Sequence, residues 1–255
     1  MGLLEDRKAL IFGIANRKSI AFSIAKKLRQ EGSEVAITYA SEPLKKRVVP
    51  LSEELDCSFC SPCDVTKDDE VEKTFKTAED KLHHLDILIH SVAFAPYDDL
   101  KGRVVDVSRD GFKTALEISA YSLIAVTRAA VGLMKNGGSI ITMTYYGAQK
   151  VILNYNLMGI AKATLESSVK YLAHELGEKN IRINAISAGP IRTLASSGVS
   201  NFKSLSTMFV DKVPLRKSIS QNDVADAAFF LSSDLSKNIT GEILFVDGGY
   251  NILGY

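Results

Sequence analysis

The sequence predicts an α/β fold, a single doubly wound domain in which a seven-stranded parallel sheet carries helices on both faces. Short β-rich runs alternate with amphipathic stretches from end to end, the pattern of a parallel sheet joined by right-handed crossovers. A length of 255 residues suits one large α/β domain and buries a sizeable core without a disulfide or metal. No Pro/Ser-rich linker, internal repeat or low-complexity tract divides the chain, so residues 1–255 are read as one domain.

The strand-like runs are Lys8 to Phe12, Glu34 to Tyr39, Ser58 to Cys63, Asp86 to Ser91, Ser139 to Thr144, Ile181 to Ser187 and Ile243 to Val246. Between the first two, Ile20, Ile24 and Leu28 repeat at helical spacing, and Gly32 is placed to stop that helix. Leu165, Val169, Leu172 and Leu176 make one face of a long helix ahead of Gly177. Residues 191–213 break the alternation with small and polar side chains. A connection this long is usually functional, and after the sixth strand it is expected to lie over the ligand crevice as a substrate-binding lid.

Composition removes several function classes. Lys plus Arg total 31 against 30 Asp plus Glu, whereas a nucleic-acid binder needs a basic excess to neutralise phosphate. The N-terminus lacks the basic, apolar and small-residue blocks of a secretory signal, and Asp6 stands where a myristoylation site needs Ser or Thr. No apolar run approaches the roughly 20 residues that span a bilayer. A cytoplasmic protein that uses neither nucleic acid nor membrane is expected. Cys57, Cys60 and Cys63 form C-x-x-C-x-x-C, but an iron–sulfur cluster needs a fourth ligand and the chain has no other Cys. Reduced thiols on and beside a strand are expected instead, and the four scattered histidines make no metal site.

The turn after the first strand, Gly13 to Ser19, leads into a helix starting at Ile20. A glycine there admits a pyrophosphate to the backbone, and the helix N-terminus offers unpaired N–H groups and partial positive charge. Ser19 is a natural N-cap whose hydroxyl also reaches toward a phosphate. The second and third glycines of G-x-G-x-x-G are missing, so an ordinary strand–turn–helix remains open. Asp64-Val65 follows the third strand, where an Asp either accepts from an adenine amino group or caps the next helix. After the fourth strand, His90 is read as a satisfied core residue, and the segment His90 to Ala95 has small residues where a flat ring could pack closely. The second strand ends Tyr39-Ala40-Ser41-Glu42, without a cation to meet a 2′-phosphate, which favours NADH over NADPH. Lys45, Lys46 and Arg47 follow and keep NADPH possible.

Tyr155 and Lys162 lie seven residues apart, two helical turns, and therefore share a helix face. A Lys beside a Tyr favours phenolate and also hydrogen-bonds ribose hydroxyls, and such a pair stabilises an oxyanion formed during hydride transfer. A surface Tyr with a solvated Lys is the plainer alternative.

These segments, with YYGAQKVILNYNLMGIAKATLE at 145–166, HSVAFAP at 90–96, RINAISAGPIRTLA at 182–195 and ITGEILFVDGGY at 239–250, resemble the short-chain dehydrogenase/reductase type of enoyl-(acyl-carrier-protein) reductase over nearly the whole chain. The resemblance implies a Rossmann-like fold, NADH-dependent reduction of the trans-2,3 double bond of enoyl-ACP in fatty-acid elongation, acyl carrier protein as partner, and a homotetramer. It assigns Tyr155 as donor to the thioester oxygen, Tyr145 as the second active-site tyrosine, and Lys162 to the nicotinamide ribose. Gly13, Ser19, Ile20, Ala40, Asp64, Val65 and Val92 fall in its cofactor site. Ile191, Arg192, Thr193, Leu194 and Ala195 contact the nicotinamide end, and Ala95 contacts substrate. Phe12, Tyr146, Val92 and Ala93 depart from the commonest patterns without touching the catalytic assignments. Carbonyl-reducing relatives use Tyr-x-x-x-Lys and a catalytic Ser. Counted from Lys162, those positions hold Met158 and Tyr145, which argues against a carbonyl-reducing dehydrogenase. An inactive NAD-binding sensor is opposed by the intact Tyr145, Tyr155 and Lys162.

Overall fold

The computed structural model describes residues 2–193 and 209–254. Among them, strands β1 Lys8–Phe12, β2 Glu34–Tyr39, β3 Cys60–Pro62, β4 Ile87–His90, β5 Gly138–Thr144, β6 Ile181–Ala188 and β7 Ile243–Val246 form one sheet in the order β3-β2-β1-β4-β5-β6-β7. Every pairing is parallel. Each predicted run contains a strand, and only the ends differ. The helices are α1 Ile20–Gln30, α2 Glu42–Glu54, α3 Asp68–Leu82, the single turn α4 Tyr97–Leu100, α5 Arg109–Leu116, α6 Ser122–Val131, α7 Asn156–Leu176 and α8 Gln221–Ser232.

Alternation along the strands divides the core in two. Ala9 and Ile11 of β1, with Ile87 and Ile89 of β4, face the layer that holds Ile24 and Leu28 of α1 and Val224 and Ala228 of α8. Leu10, Phe12 and Leu88 face the opposite layer, with Phe75 of α3, Val126 of α6 and Val169 of α7. The three thiols divide between the two cores, with Cys60 alone inside β3. Cys63 packs in the second core, whereas Cys57 and Cys60 lie against the first. Burial pushes the Cys57 thiol up to about 12 and Cys63 up to about 11, which keeps both protonated and unreactive.

Gly32 ends α1 as the sequence predicts. Its φ is +99°, its N–H donates to Arg29 O at 3.1 Å, and Ser33 N–H donates to Leu28 O at 3.0 Å, a left-handed C-terminal cap. Gly177 follows the last residue of α7, as the sequence predicts. It keeps right-handed backbone (φ −60°) and opens a 3₁₀ turn, Gly177–Lys179, while Asn180 with φ +56° makes the reversal. From Arg109 to Val131 the chain runs as α5, a π-helical segment Glu117–Tyr121, and α6. This run is long and apolar enough to cross a membrane by length and composition, but half of it is buried, with α6 packed against α3 and α7. It is a core helix here.

Candidate active site

Strand order reverses between β1 and β4, and the carboxyl ends of these strands frame the crevice where an open α/β sheet binds ligands. Gly13 ends β1 with φ +100°, and a Cβ there would overlap Ser91 O in the chain leaving β4. Only glycine lets the two loops come this close. The first helical hydrogen bond of α1 runs from Phe22 N–H to Ser19 O at 3.1 Å, so the N–H groups of Ile20 and Ala21 stand ahead of it. Ser19 occupies the N-cap position but its side chain does not cap α1. Its Oγ accepts from Ala15 and Asn16 N–H, both at 3.1 Å, because the turn before the helix needs an acceptor more than the helix does. The hydroxyl hydrogen remains to be donated. Gln221 at the start of α8 donates to Lys18 O (3.0 Å) and Arg192 O (3.2 Å), tying this turn to the chain after β6.

Along the remaining crevice, Ala40 is exposed after β2. Glu42 and Lys45 form an exposed ion pair at 3.1 Å, so neither presents an uncompensated charge there. Asp64 Oδ1 accepts from both the backbone and the hydroxyl of Thr66 (3.1 and 2.8 Å), which makes it a turn former, with Oδ2 left over. Val65 is in the core, and Val92 is half-buried against it. Ala95 is buried with Leu157, Met158 and Ala161 of α7, so its place is against the catalytic helix. Ile191 is buried, Arg192 is exposed and Thr193 is intermediate. Leu194 and Ala195, with most of the 191–213 segment, lie outside the described residues.

His90 is fully buried and satisfied. The Ser122 hydroxyl donates to Ile118 O at 2.6 Å and therefore accepts from His90 Nε2 at 2.8 Å, which assigns the Nε2–H tautomer. The Thr142 hydroxyl has two acceptors in reach, His90 O at 3.1 Å and Nδ1 at 2.8 Å, and the nearer one, Nδ1, takes its hydrogen. Burial, followed by the charge of Lys162, pushes the imidazole down to about 3. The same helical run holds the next loop, since Ser119 Oγ accepts from Phe94 N–H and lies 2.9 Å from Phe94 O. Sequence reasoning missed this π-helical junction, where one extra residue per turn brings Ser119 and Ser122 to the end of β4.

The catalytic candidates meet at α7. Tyr155 is its N-cap rather than an interior residue. The ring of Tyr155 meets that of Tyr145 edge to face, with centroids 4.8 Å apart and planes at 71°. Gly147 makes this possible, because a Cβ there would overlap Cδ1 of Tyr155. Lys162 is buried, and its Nζ donates to Met143 O at 2.8 Å. Burial lowers its amine to about 8, with Glu166 acting in the opposite sense, so the side chain is still charged at neutral pH. The expected bias toward phenolate is absent. Burial, then the Tyr250 phenol, push Tyr145 up to about 12, and burial, then Tyr145 and Glu166, raise Tyr155 further. Both phenols are hydrogen-bond donors at neutral pH. Met158 is buried against Ala95 and Ala161 and offers no polar group.

The C-terminal turn backs this site. Tyr146 Oη donates to Asn251 O at 3.1 Å, and Tyr250 meets both Tyr146 (5.8 Å between centroids) and Phe209 (5.3 Å). Asp247 holds the turn by accepting from the N–H groups of Gly249 and Asn251.

Residues 13–251 match the family model described as enoyl-(acyl carrier protein) reductase. A relative from Rickettsia prowazekii, named enoyl-(acyl-carrier-protein) reductase (NADH) FabI, is 53% identical over 253 residues, covering 99% of this chain and 97% of that protein. The Bacillus cereus enoyl-acyl carrier protein reductase, solved with NADP+ and an indole naphthyridinone, superposes with TM-score 0.98 at 48% identity over 100% of both chains. The Anaplasma phagocytophilum enoyl-(acyl-carrier-protein) reductase, solved with NAD, gives TM-score 0.96 at 49% identity, covering 100% of this chain and 97% of the other.

Proposed function

Because the chain belongs to the enoyl-(acyl carrier protein) reductase family, within the short-chain dehydrogenase/reductase superfamily, we propose that it reduces the trans-2,3 double bond of an enoyl thioester on acyl carrier protein, using NADH, in fatty-acid elongation. The observation that carries this reading is the pairing of two protonated tyrosines at the start of the helix that carries a buried, charged Lys162, with apolar Met158 at the position a carbonyl reductase needs for its Tyr.

The residues fit the cofactor: Gly13 lets the turn after β1 and the chain leaving β4 approach closely, and α1 presents N–H groups ahead of its first hydrogen bond. Gly13, Ser19 and Ile20 would hold the pyrophosphate, Ala40, Asp64 and Val65 the adenosine, and Val92 with Ile191 to Thr193 the nicotinamide end. Lys162 would hold the ribose. Bound NADH supplies the hydride. Tyr155 would hydrogen-bond the thioester oxygen while keeping its proton, as hydride arrival at the β-carbon places negative charge on that oxygen, and Tyr145 packs the Tyr155 ring in place. The α-carbon of the enolate would then take its proton from water, completing the reduction. A homotetramer in the cytoplasm and a preference for NADH belong to the same reading. The Glu42–Lys45 pair supports NADH by occupying the cation nearest the end of β2.

Initial rates with crotonyl-thioester test this. NADH consumption is expected with Tyr155→Phe slower by roughly 100- to 1,000-fold, the loss of one oxyanion donor. Preference for acetoacetyl-thioester would point to a carbonyl reductase, NADH binding without turnover to a sensor, and a tenfold advantage for NADPH would reverse the cofactor choice alone.

A further inference from the structure

Glu166 lies one turn beyond Lys162 on α7 and is buried, an unusual place for a carboxylate. Each of its oxygens has one donor. Thr144 Oγ1 donates to Oε1 at 2.8 Å, and Gln149 Nε2 donates to Oε2 at 3.1 Å. These donors bracket Tyr145, since Thr144 is the last residue of β5 and Gln149 follows the 3₁₀ turn Tyr146–Ala148. One carboxylate therefore fastens both ends of the Tyr145 loop to the helix that carries Lys162 and follows Tyr155.

We propose that Glu166 is a positioning residue of the reduction, fixing Tyr145 against Tyr155 and providing the negative charge that Lys162 faces. The proposal rests on the assignment of Lys162 to the ribose. The titratable groups around Lys162 make Glu166 the significant one. From β4 comes His90, neutral through Nε2–H. Tyr145 of the loop after β5 and Tyr155 at the start of α7 are both protonated and add no charge. Among the described residues, the charge opposing Lys162 is that of Glu166. Removing it lowers the Lys162 amine further, so the charged form is lost at a lower pH.

The test uses Glu166→Gln, which keeps shape and removes charge, and Thr144→Val, which keeps charge and removes one donor. NADH affinity is followed by nicotinamide fluorescence across pH 6–10 and kcat by crotonyl-thioester reduction. For Glu166→Gln the alkaline fall in NADH affinity is expected about one pH unit earlier than in wild type, with kcat lower by roughly 10-fold or more. For Thr144→Val the alkaline limb stays in place while kcat falls by roughly 3- to 10-fold. A folded Glu166→Gln enzyme with the wild-type limb and wild-type kcat would overturn the proposal. Where that variant does not fold, wild-type kcat in Thr144→Val overturns it instead. Lys162→Met separates the two readings: wild-type NADH affinity in that variant removes the ribose assignment, while a kcat loss in Thr144→Val still upholds the clasp.

Discussion

Gly147→Ala places a methyl group where the Tyr145 and Tyr155 rings meet. Its ideal Cβ would sit 2.9 Å from Cε1 of Tyr155 and 3.3 Å from Cδ1 of Tyr145, with Cδ1 of Tyr155 closer still. Carbon atoms normally rest at about 3.5 Å or more, so the Tyr155 ring must retreat by roughly 1 Å. Backbone strain adds nothing, because Gly147 is not among the glycines with positive φ. Overpacking of this kind costs about 1–3 kcal/mol, and a displacement near 1 Å at the reacting groups costs on the order of 100-fold in rate. In a chain of this size 1 kcal/mol corresponds to about 2–4 °C in Tm. The expected outcome is a folded enzyme with Tm lower by about 2–10 °C, NADH affinity close to wild type, and crotonyl-thioester kcat down by roughly 30- to 100-fold. A kcat within about threefold of wild type would refute the reasoning, since the ring would then have moved without consequence.

Two further predictions concern buried titratable groups. The folded pKa of Lys162, about 8, lies below its ordinary 10.5, so burial of the charged amine opposes folding below pH 8, and this opposition fades as pH rises toward 10.5. Allowing for the lost bond to Met143 O, ligand-free Lys162→Met should be about 2 kcal/mol more stable than wild type at pH 7, narrowing above pH 8 in urea titrations; a less stable variant would contradict this. For His90, whose folded pKa of about 3 lies below the ordinary 6.5, stability is complete above pH 6.5 and falls as pH drops toward 3. Nitrogen NMR should find its Nε2–H tautomer still neutral at pH 5, and a titration midpoint near 6.5 would overturn the assignment.

The strands were readable because alternate side chains of β1 and β4 enter two different cores, which forces near-continuous apolar runs in the sequence. Lys162 was readable as a residue of α7, whereas Tyr155 precedes that helix as its N-cap, so helical spacing does not by itself relate the two. Other features depend on contacts that no local pattern reports. Gly177 marks the end of α7 as expected, but the left-handed residue that follows the next turn, Asn180, gave no local signal. The donors that claim Ser19 come from its own preceding turn, not from α1. The π-helical junction at Glu117–Tyr121 answers to His90 and Phe94 across the fold. Lys162 invited a phenolate reading, but burial, then Tyr145 and Glu166, all push the Tyr155 phenol up. Glu166 was visible as a residue four after Lys162, but its loop contacts were not.

The hydrogen bond from Gln221 to Lys18 O joins residues 203 positions apart, and α1 packs on α8 over a similar separation. Loop-closure entropy must be met before such a contact gives anything back, which places the molecule among slow, high-contact-order folders. Half a chain is consequently not half an enzyme. A fragment ending at Gly189 would contain Gly13, Tyr155 and Lys162 but would lack the helix that covers Ile24 and Leu28 and braces the Lys18 turn. Its exposed apolar face would favour aggregation over partial function. Supplying residues 190–255 as a separate peptide is the direct way to see NADH binding return.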